Sequence, residues 1–396
     1  MEHIIRGVRK TGVFGWLYIA AIFHAFHFFS IHFVNSSFLE QYLTQTEVGL
    51  MFAASNALTL VALLSVVVFL NKFGNYLTIL FVTGLNLIST LGLTFCTDIG
   101  WLFVMYTLHT VMLPITLFCF DVFLEAYTKD ESTTGSVRGV FLLVTMIAAL
   151  FSPIISGWVI GEEAVYQNAY LLGAVYLVPV LLLLAFKFRS FIDPAYEVLS
   201  LSSLFNTLRT NKNIFHIISA QFVLRFFFSW MVVYMPIFLH QNIGFSWLEI
   251  GIILFVMLVP YVVLELPAGI VADKWLGEKE LLFAGFIITG LSTFSLFFVN
   301  STSLVVWASV LFVTRIGAAF IESMTETYFF KQIDGDDTSI LSVFRILRPL
   351  AYTVGPFSGG AVLFFLGGDG ITYLWPILGV IVLFGTINAL SIKDTL

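Results

Sequence analysis

Charge is scarce in this sequence. Asp, Glu, Lys and Arg together make up 11% of its 396 residues, where an ordinary soluble domain carries about 25%, so a largely water-facing surface is excluded. No basic run would track a nucleic-acid backbone, and no nucleic-acid partner is expected. Cysteine is limited to Cys96 and Cys119, which fall near the outer end of one apolar run and in the inner half of the next. That separation in depth rules out a bridge between them. The His-Glu-x-x-His spacing is absent, as is any thiolate cluster, and no serine or cysteine nucleophile has a base nearby in sequence. His24-x-x-His27 is the one spacing that invites a metal reading, and it lacks the further ligands a metal needs. No metal, no cofactor and no enzymatic activity are expected.

What is present is apolar: 59% of residues, with 44 Phe, and with 29 Gly and 10 Pro spread through the apolar runs. Glycine and proline are tolerated there in bilayer helices, because neighbouring helices re-satisfy the freed backbone groups. A bilayer span needs about 20 apolar residues. Twelve candidates fit, centred near residues 24, 59, 87, 113, 149, 176, 226, 260, 289, 317, 351 and 382. The expected fold is an all-α membrane protein whose solvent is the lipid bilayer.

The amino terminus enters the first run without the small-residue cleavage pattern of a secretory signal, so the first helix is expected to be retained. An even number of spans puts both termini on one side. Arg6, Arg9, Lys10, Lys72, Lys129, Arg138, Lys187, Arg189, Arg209, Lys212, Lys274, Lys279, Lys331 and Lys393 fall on that side, and the opposite loops hold no Lys or Arg. By the positive-inside rule that side is the cytoplasm, and a plasma (inner) membrane location is expected. Asn35-Ser36-Ser37 and Asn300-Ser301-Thr302 match the glycosylation pattern on the outer side, in loops short enough that chance is the simpler account.

The longest polar break separates residues 1–186 from 214–396, two halves of six helices each, with a linker at 187–213. Inside the linker, Asp193-Pro194 has the form of a helix start. Val198, Leu201, Leu204, Phe205 and Leu208 then recur at helical spacing, which predicts a tethering helix at the membrane surface. The halves repeat one another. Asp121, Glu125 and Tyr127 correspond to Glu322, Glu326 and Tyr328 at an offset of 201. Glu47-x-Gly49 and Asn71-Lys72 correspond to Glu249-x-Gly251 and Asp273-Lys274 at 202, and Pro153 and Gly157 to Pro356 and Gly360 at 203. Two pseudo-symmetric six-helix bundles in parallel orientation are a transporter architecture.

On these residues the chain resembles the major facilitator superfamily over essentially its whole length. The family's signature loop, Gly-x-x-x-Asp-Arg/Lys-x-Gly-Arg/Lys-Arg/Lys, is similar to Gly269 through Lys279, with one extra residue and with Glu278 in a basic slot. The matching first-half loop, Asn71 through Tyr76, keeps Lys72 and Gly74 but has lost the acid and both trailing basic residues. Gly355-Pro356-Phe357-Ser358-Gly359-Gly360 is similar to the family's Gly-Pro-x-x-Gly-Gly element, which is partial in helix 5. The resemblance implies that helices 1, 4, 7 and 10 line a central cavity.

A charge at mid-bilayer costs at least about 2.5–3.5 kcal/mol, so each one is a functional candidate. The bases are Arg225, Arg315, Arg345 and Arg348; the acids, toward the cytoplasmic ends of helices 4, 8 and 10, are Asp121, Glu125, Glu265, Glu322 and Glu326. Arg315 and Glu322 lie seven residues apart, about 10 Å along a helix, so Arg225 and Arg315 are not expected to be satisfied by these acids. With the family's cavity, Arg225, Arg315, His24, His27 and Gln221 become the candidate solute ligands. The two arginines would attract an anionic or strongly polar solute; the alternative is that they lock helices as structural ion pairs. His24, Glu322 and Asp121 are candidates for proton coupling, against the blander reading of His24 as a hydrogen-bonded histidine. Asp273, Lys274 and Gly277 of the signature loop are gating candidates. Asp273 is expected to pair with Arg138 at the start of helix 5, and Glu125–Lys72 and Glu326–Lys274 to act as clasps within each half.

The function read from the sequence is secondary active transport of a small solute by alternating access, with proton coupling open and an anionic or polar solute favoured. The alternatives are drug-type efflux of lipophilic compounds and, in another class, a non-transporting receptor or scaffold. The transporter is expected to be a monomer.

Overall fold

The computed structural model describes residues 2–127, 131–196, 208–332 and 338–393, with side chains outside 2–13, 131–138, 265–266, 273, 338–345 and 368–369. The described residues are almost all helical. In chain order the helices are α1 (Glu2–His32), the short α2 (Asn35–Leu39), α3 (Gln45–Thr94), α4 (Ile99–Tyr127), α5 (Glu131–Ile160), α6 (Gln167–Lys187), α7 (Lys212–Ile237), α8 (Trp247–Val271), α9 (Gly277–Ser295), α10 (Leu304–Lys331), α11 (Thr338–Leu366) and α12 (Leu374–Ser391).

Among the described residues eleven helical stretches are long and apolar enough to cross a membrane, and they make twelve crossings because α3 is two spans in one. Its 50 residues would reach about 75 Å at 1.5 Å per residue, more than twice the ~30 Å hydrocarbon core. The chain turns at Gly74, with φ 75° and ψ 165°, in a region of backbone space that glycine alone occupies readily. Gly277, at the matching turn 203 residues later, has φ 78° and ψ 160°. The repeat is therefore present in backbone conformation as well as in sequence.

A second matched pair explains the repeated glutamates. The Thr44 backbone N–H and hydroxyl both donate to Glu47 Oε2 at 2.8 Å, and Glu47 N–H returns to Thr44 Oγ1 at 3.4 Å. Ser246 and Glu249 repeat the arrangement at 2.8, 2.8 and 3.4 Å. Both are capping boxes that satisfy the first donors of a span, so Glu47 and Glu249 hold helix starts.

The chain separates into two compact units: residues 1–38 with 58–198, and residues 39–57 with 199–396. In the first, α1 packs on α5 and α6, around fully buried Leu17, Ile79, Phe123, Leu184 and Phe188. In the second, α9 packs on α10 and α12, α8 on α10, and α7 on α10, α11 and α12. The start of α3 belongs to this second unit. A Cβ on Gly49 would lie 2.5 Å from Pro356 O and 3.2 Å from Gly360 Cα, and one on Gly360 would lie 3.0 Å from Thr46 O. Backbones touch there because neither helix carries a side chain at the crossing. Tyr234 Oη and Trp230 Nε1 of α7 donate to Pro356 O and Gly355 O, both at 2.7 Å.

One local expectation changes. Residues 191–196 are not helical, and Asp193 does not start a helix of its own: its Oδ1 accepts the Asn75 N–H at 2.6 Å and the Tyr196 hydroxyl at 2.5 Å. It caps the second arm of α3 instead, because Gly74 leaves those first N–H groups open. Residues 197–207 lie outside the described residues, while 208–210 are helical and Asn211 caps α7 through bonds to Asn213 N and Ile214 N. Asn35 is buried and accepts from Tyr170 Oη at 2.7 Å, so it is not an exposed glycan acceptor. Cys96 and Cys119 are both free thiols.

Gly74→Ala should destabilise the protein by at least about 1–3 kcal/mol, from the positive φ and from the Asp193 carboxylate that a Cβ would strike. Thermal unfolding in detergent measures it. A melting temperature equal to wild type would mean that the turn is not held as described.

Candidate functional site

The membrane-buried polar groups gather in two places, one in each unit. In the first unit His24, His27, Asn86 and His109 are each at most 1% exposed. His27 Nδ1 lies 3.0 Å from Gly173 O, and a carbonyl only accepts, so Nδ1 carries the proton. His27 Nε2 then accepts from Asn86 Nδ2 at 3.1 Å, which turns Asn86 Oδ1 toward His109 Nδ1 at 2.8 Å. His109 Nδ1 is thus the donor at that contact. Thr90 Oγ1, 3.3 Å from the same nitrogen, gives its own proton to Asn86 O at 2.7 Å. The chain of bonds has one sense throughout and is complete with neutral imidazoles.

Both nitrogens of His27 are therefore engaged, whereas His24 Nε2 and His109 Nε2 are buried without a partner. The His24 ring meets the edge of Phe120 at 5.4 Å. Asp121 is half-buried on α4 and Glu125 is exposed. The imidazoles bear on one another electrostatically, with no carboxylate contribution among the described residues. No group of His, Cys, Asp and Glu able to hold a metal is present among the described residues.

The second unit holds the arginines. Arg225 of α7 pairs with Glu322 of α10 through Nη2 and Oε1 at 2.8 Å. The expectation that Arg225 lacks a carboxylate is thus overturned. The separation along α10 is irrelevant to it, because the pair closes across two packed helices. Thr325 Oγ1 spends its proton on Ile321 O at 2.7 Å, so it accepts from Gln221 Nε2 at 2.8 Å, and Gln221 Oε1 accepts from Arg225 Nε and Nη2 at 3.3 and 2.9 Å. Gln221 is fully buried. Glu326 adds a second negative charge to the surroundings of Arg225.

Arg315 differs. It is 3% exposed, and no carboxylate pairs with it among the described residues. Its guanidinium lies 5.2 Å from the Phe227 ring centroid and 5.0 Å from that of Phe228. Its Nε has no hydrogen-bond partner, and the Tyr261 hydroxyl stands close to the guanidinium. Two aromatic faces at about 1–2 kcal/mol each can offset a burial cost of about 2.5–3.5 kcal/mol. Arg348 of α11 lies over Tyr352 at 5.7 Å. Sequence reasoning passed over Phe227, Phe228, Tyr261 and Tyr352, because aromatics are too common in this chain to stand out; Asn86, a lone amide inside an apolar span, was a signal that could have been used.

The gating candidates fare unevenly. Lys72 stands over Phe73 at 5.1 Å and Lys274 is exposed, and neither makes an ion pair among the described residues. The clasps with Glu125 and Glu326 are not formed: Lys72 lies against the Phe73 ring and Lys274 stands exposed. The side chains of Asp273 and Arg138 lie outside the described residues. Gly277 acts through its backbone turn. Glu278, in the signature's basic slot, is buried and forms an ion pair with Lys331 of α10, so a charge-reversed clasp ties α9 to α10.

Two predictions follow from these charges. Glu322→Gln strands Arg225 and should cost toward the low end of about 3–5 kcal/mol, since the paired side chains keep 20% and 26% exposure. The double variant Arg225→Met/Glu322→Leu should recover most of that loss; equal losses in unfolding experiments would mean the two side chains act independently. Outside the spans, burial pushes the Glu40 carboxyl up to about 7, partly opposed by the Gln45 amide that donates to it at 3.0 Å. A raised folded-state value favours the folded protein below the unfolded value of 4.5, and that stability is lost as pH rises through 7. The melting temperature should therefore fall between pH 5 and pH 8, with a smaller fall in Glu40→Gln; an identical fall in both would assign the effect elsewhere.

Comparison with known proteins agrees with this architecture. The family model described as Major Facilitator Superfamily matches residues 17–258 and 217–395. Among solved structures, a bacterial homolog of the human lysosomal transporter Spinster, inward-facing and unoccupied, is similar at TM-score 0.73 and 12% identity, covering 96% of this chain and 93% of that one. The nucleoside transporter NupG is similar at TM-score 0.75 and 14% identity, covering 96% and 99%. A structure described as giving insight into proton dependent oligopeptide transporters is similar at 0.75 and 15%, covering 96% and 98%. No curated protein sequence matches the chain. The twelve-span, two-repeat chain with its signature loop belongs to the Major Facilitator Superfamily and is a multi-pass membrane transporter.

Proposed function

We propose that the protein is a secondary active transporter of a small anionic solute, recognised in the second unit by Arg315. The observation that carries this reading is the buried Arg315 guanidinium, held on Phe227 and Phe228 with Nε unpartnered and no carboxylate against it among the described residues. An arginine fork in a dry, aromatic-lined place is suited to a planar carboxylate or a phosphate. Around it Arg225, Arg315 and Arg348 face Glu322 and Glu326, which leaves one positive charge in excess among the described side chains. A monoanion would neutralise it.

Glu322 is the group we assign to proton coupling. Protonating its carboxylate would remove the counter-charge of Arg225 and turn a satisfied cation into a second anion ligand. Uptake by Glu322→Gln is then expected to lose its dependence on a pH gradient. Drug-type efflux of lipophilic cations is the weaker reading, since the aromatic faces that would hold such a cation are already occupied by the Arg315 guanidinium.

The test is thermal stability in detergent against matched pairs of solutes, each a carboxylate and its neutral amide on one carbon skeleton. A bound carboxylate at a hundred times its Kd should add about 2.7 kcal/mol, its amide should add far less, and Arg315→Gln should abolish the difference. Stabilisation by lipophilic cations alone, unchanged in Arg315→Gln, would replace this reading by efflux and make Arg315 a structural residue.

A further inference from the structure

An apolar groove of about 620 Å³ opens in the first unit between the two arms of α3 and the middle of α4. Ala62, Phe69 and Phe73 line it from the first arm, Phe81 from the second, and Val111 and Met112 from α4. It exists because α3 reverses at Gly74, so that its arms diverge and α4 floors the wedge between them. Phe69, Phe73 and Phe81 are 54%, 49% and 66% exposed, which in a membrane protein is exposure to lipid. The groove is separate from both polar clusters and offers nothing to a polar solute.

Its length and its end decide the occupant. From Phe73 to Ala62 is eleven residues, about 16 Å of helix, or one leaflet of a ~30 Å core. At the end nearest the termini stands Lys72, exposed, with its ammonium 5.1 Å from the ring of the lining residue Phe73. No carboxylate neutralises Lys72 among the described residues, and Asn71 occupies the position of the acid in the signature loop. A leaflet-deep apolar trough that ends at a cation with no carboxylate partner among the described residues fits a molecule with an anion at one end of a hydrocarbon chain.

We propose that this groove binds one acyl chain of an anionic phospholipid from the leaflet on the side of the termini, with the headgroup phosphate on Lys72. The chain fills surface that otherwise packs loosely against bulk lipid, and the ammonium supplies a point charge for the phosphate. The two arms of α3 are then joined by lipid on the face where they diverge.

Thermal unfolding of the purified full-length protein in a neutral detergent tests this, with added phosphatidylglycerol, phosphatidylcholine of identical chains, or glycerol 3-phosphate. Phosphatidylglycerol should raise the melting temperature more than phosphatidylcholine, and glycerol 3-phosphate should leave it unchanged. Lys72→Gln, a change confined to an exposed side chain, should remove most of the difference between the two lipids. Val111→Trp, which fills the groove, should lower the response to both. Equal responses to the two lipids in wild type, or an undiminished difference in Lys72→Gln, would overturn the proposal. Reproduction of the effect by glycerol 3-phosphate would overturn it as well, by assigning the site to free phosphate.

Discussion

An ionised side chain inside lipid must find a partner or a polarisable surface, and that constraint organises the interior of this protein. Arg225 meets it with a carboxylate and an amide: Glu322 supplies the charge, and Gln221 accepts from Nε and Nη2 while its own amide group donates to Thr325. Arg315 meets it with two phenylalanine faces and keeps an unmade bond. The two solutions sit on adjacent helices of one bundle and differ in consequence. The Arg225–Glu322 pair holds α7 to α10, whereas Arg315 has no carboxylate against it among the described residues, which is what the proposed anion would supply.

The first unit solves the same problem without charge. Its histidines are ordered by a single carbonyl, Gly173 O, which fixes the tautomer of His27 and through Asn86 that of His109. A network whose donors all point one way is rigid as long as each ring stays neutral. Helix ends are met as economically, by two copies of one capping box and by Asp193 reaching from beyond α6 to the start of the second arm of α3. Each of these devices supplies a donor or acceptor that the bilayer cannot.

The span count, the repeat and the family were legible because they rest on period and composition, which lipid enforces residue by residue. Gly74 and Gly277 stood out as matched loop glycines, and the backbone gives them one conformation. The partners of the buried charges were not legible, because they depend on which helix faces cross. Seven residues along α10 separated Arg315 from Glu322, yet Glu322 reaches Arg225 on another helix. Lys72 matched an expected clasp by sequence but faces lipid, and Glu278 looked like a departure until Lys331 supplied its counter-charge. His27 read as a solute ligand by type, and the structure buries it with both ring nitrogens engaged, by Gly173 O and by Asn86.

The central proposal is that Arg315, which meets no carboxylate among the described residues, sets the sign of the transported solute. Solute-jump current recordings on proteoliposomes containing the purified protein test it most directly. A small organic anion should evoke a transient current that is lost in Arg315→Gln while the variant stays folded. Currents evoked by neutral or cationic solutes and retained in Arg315→Gln would contradict the claim and leave Arg315 as a structural residue.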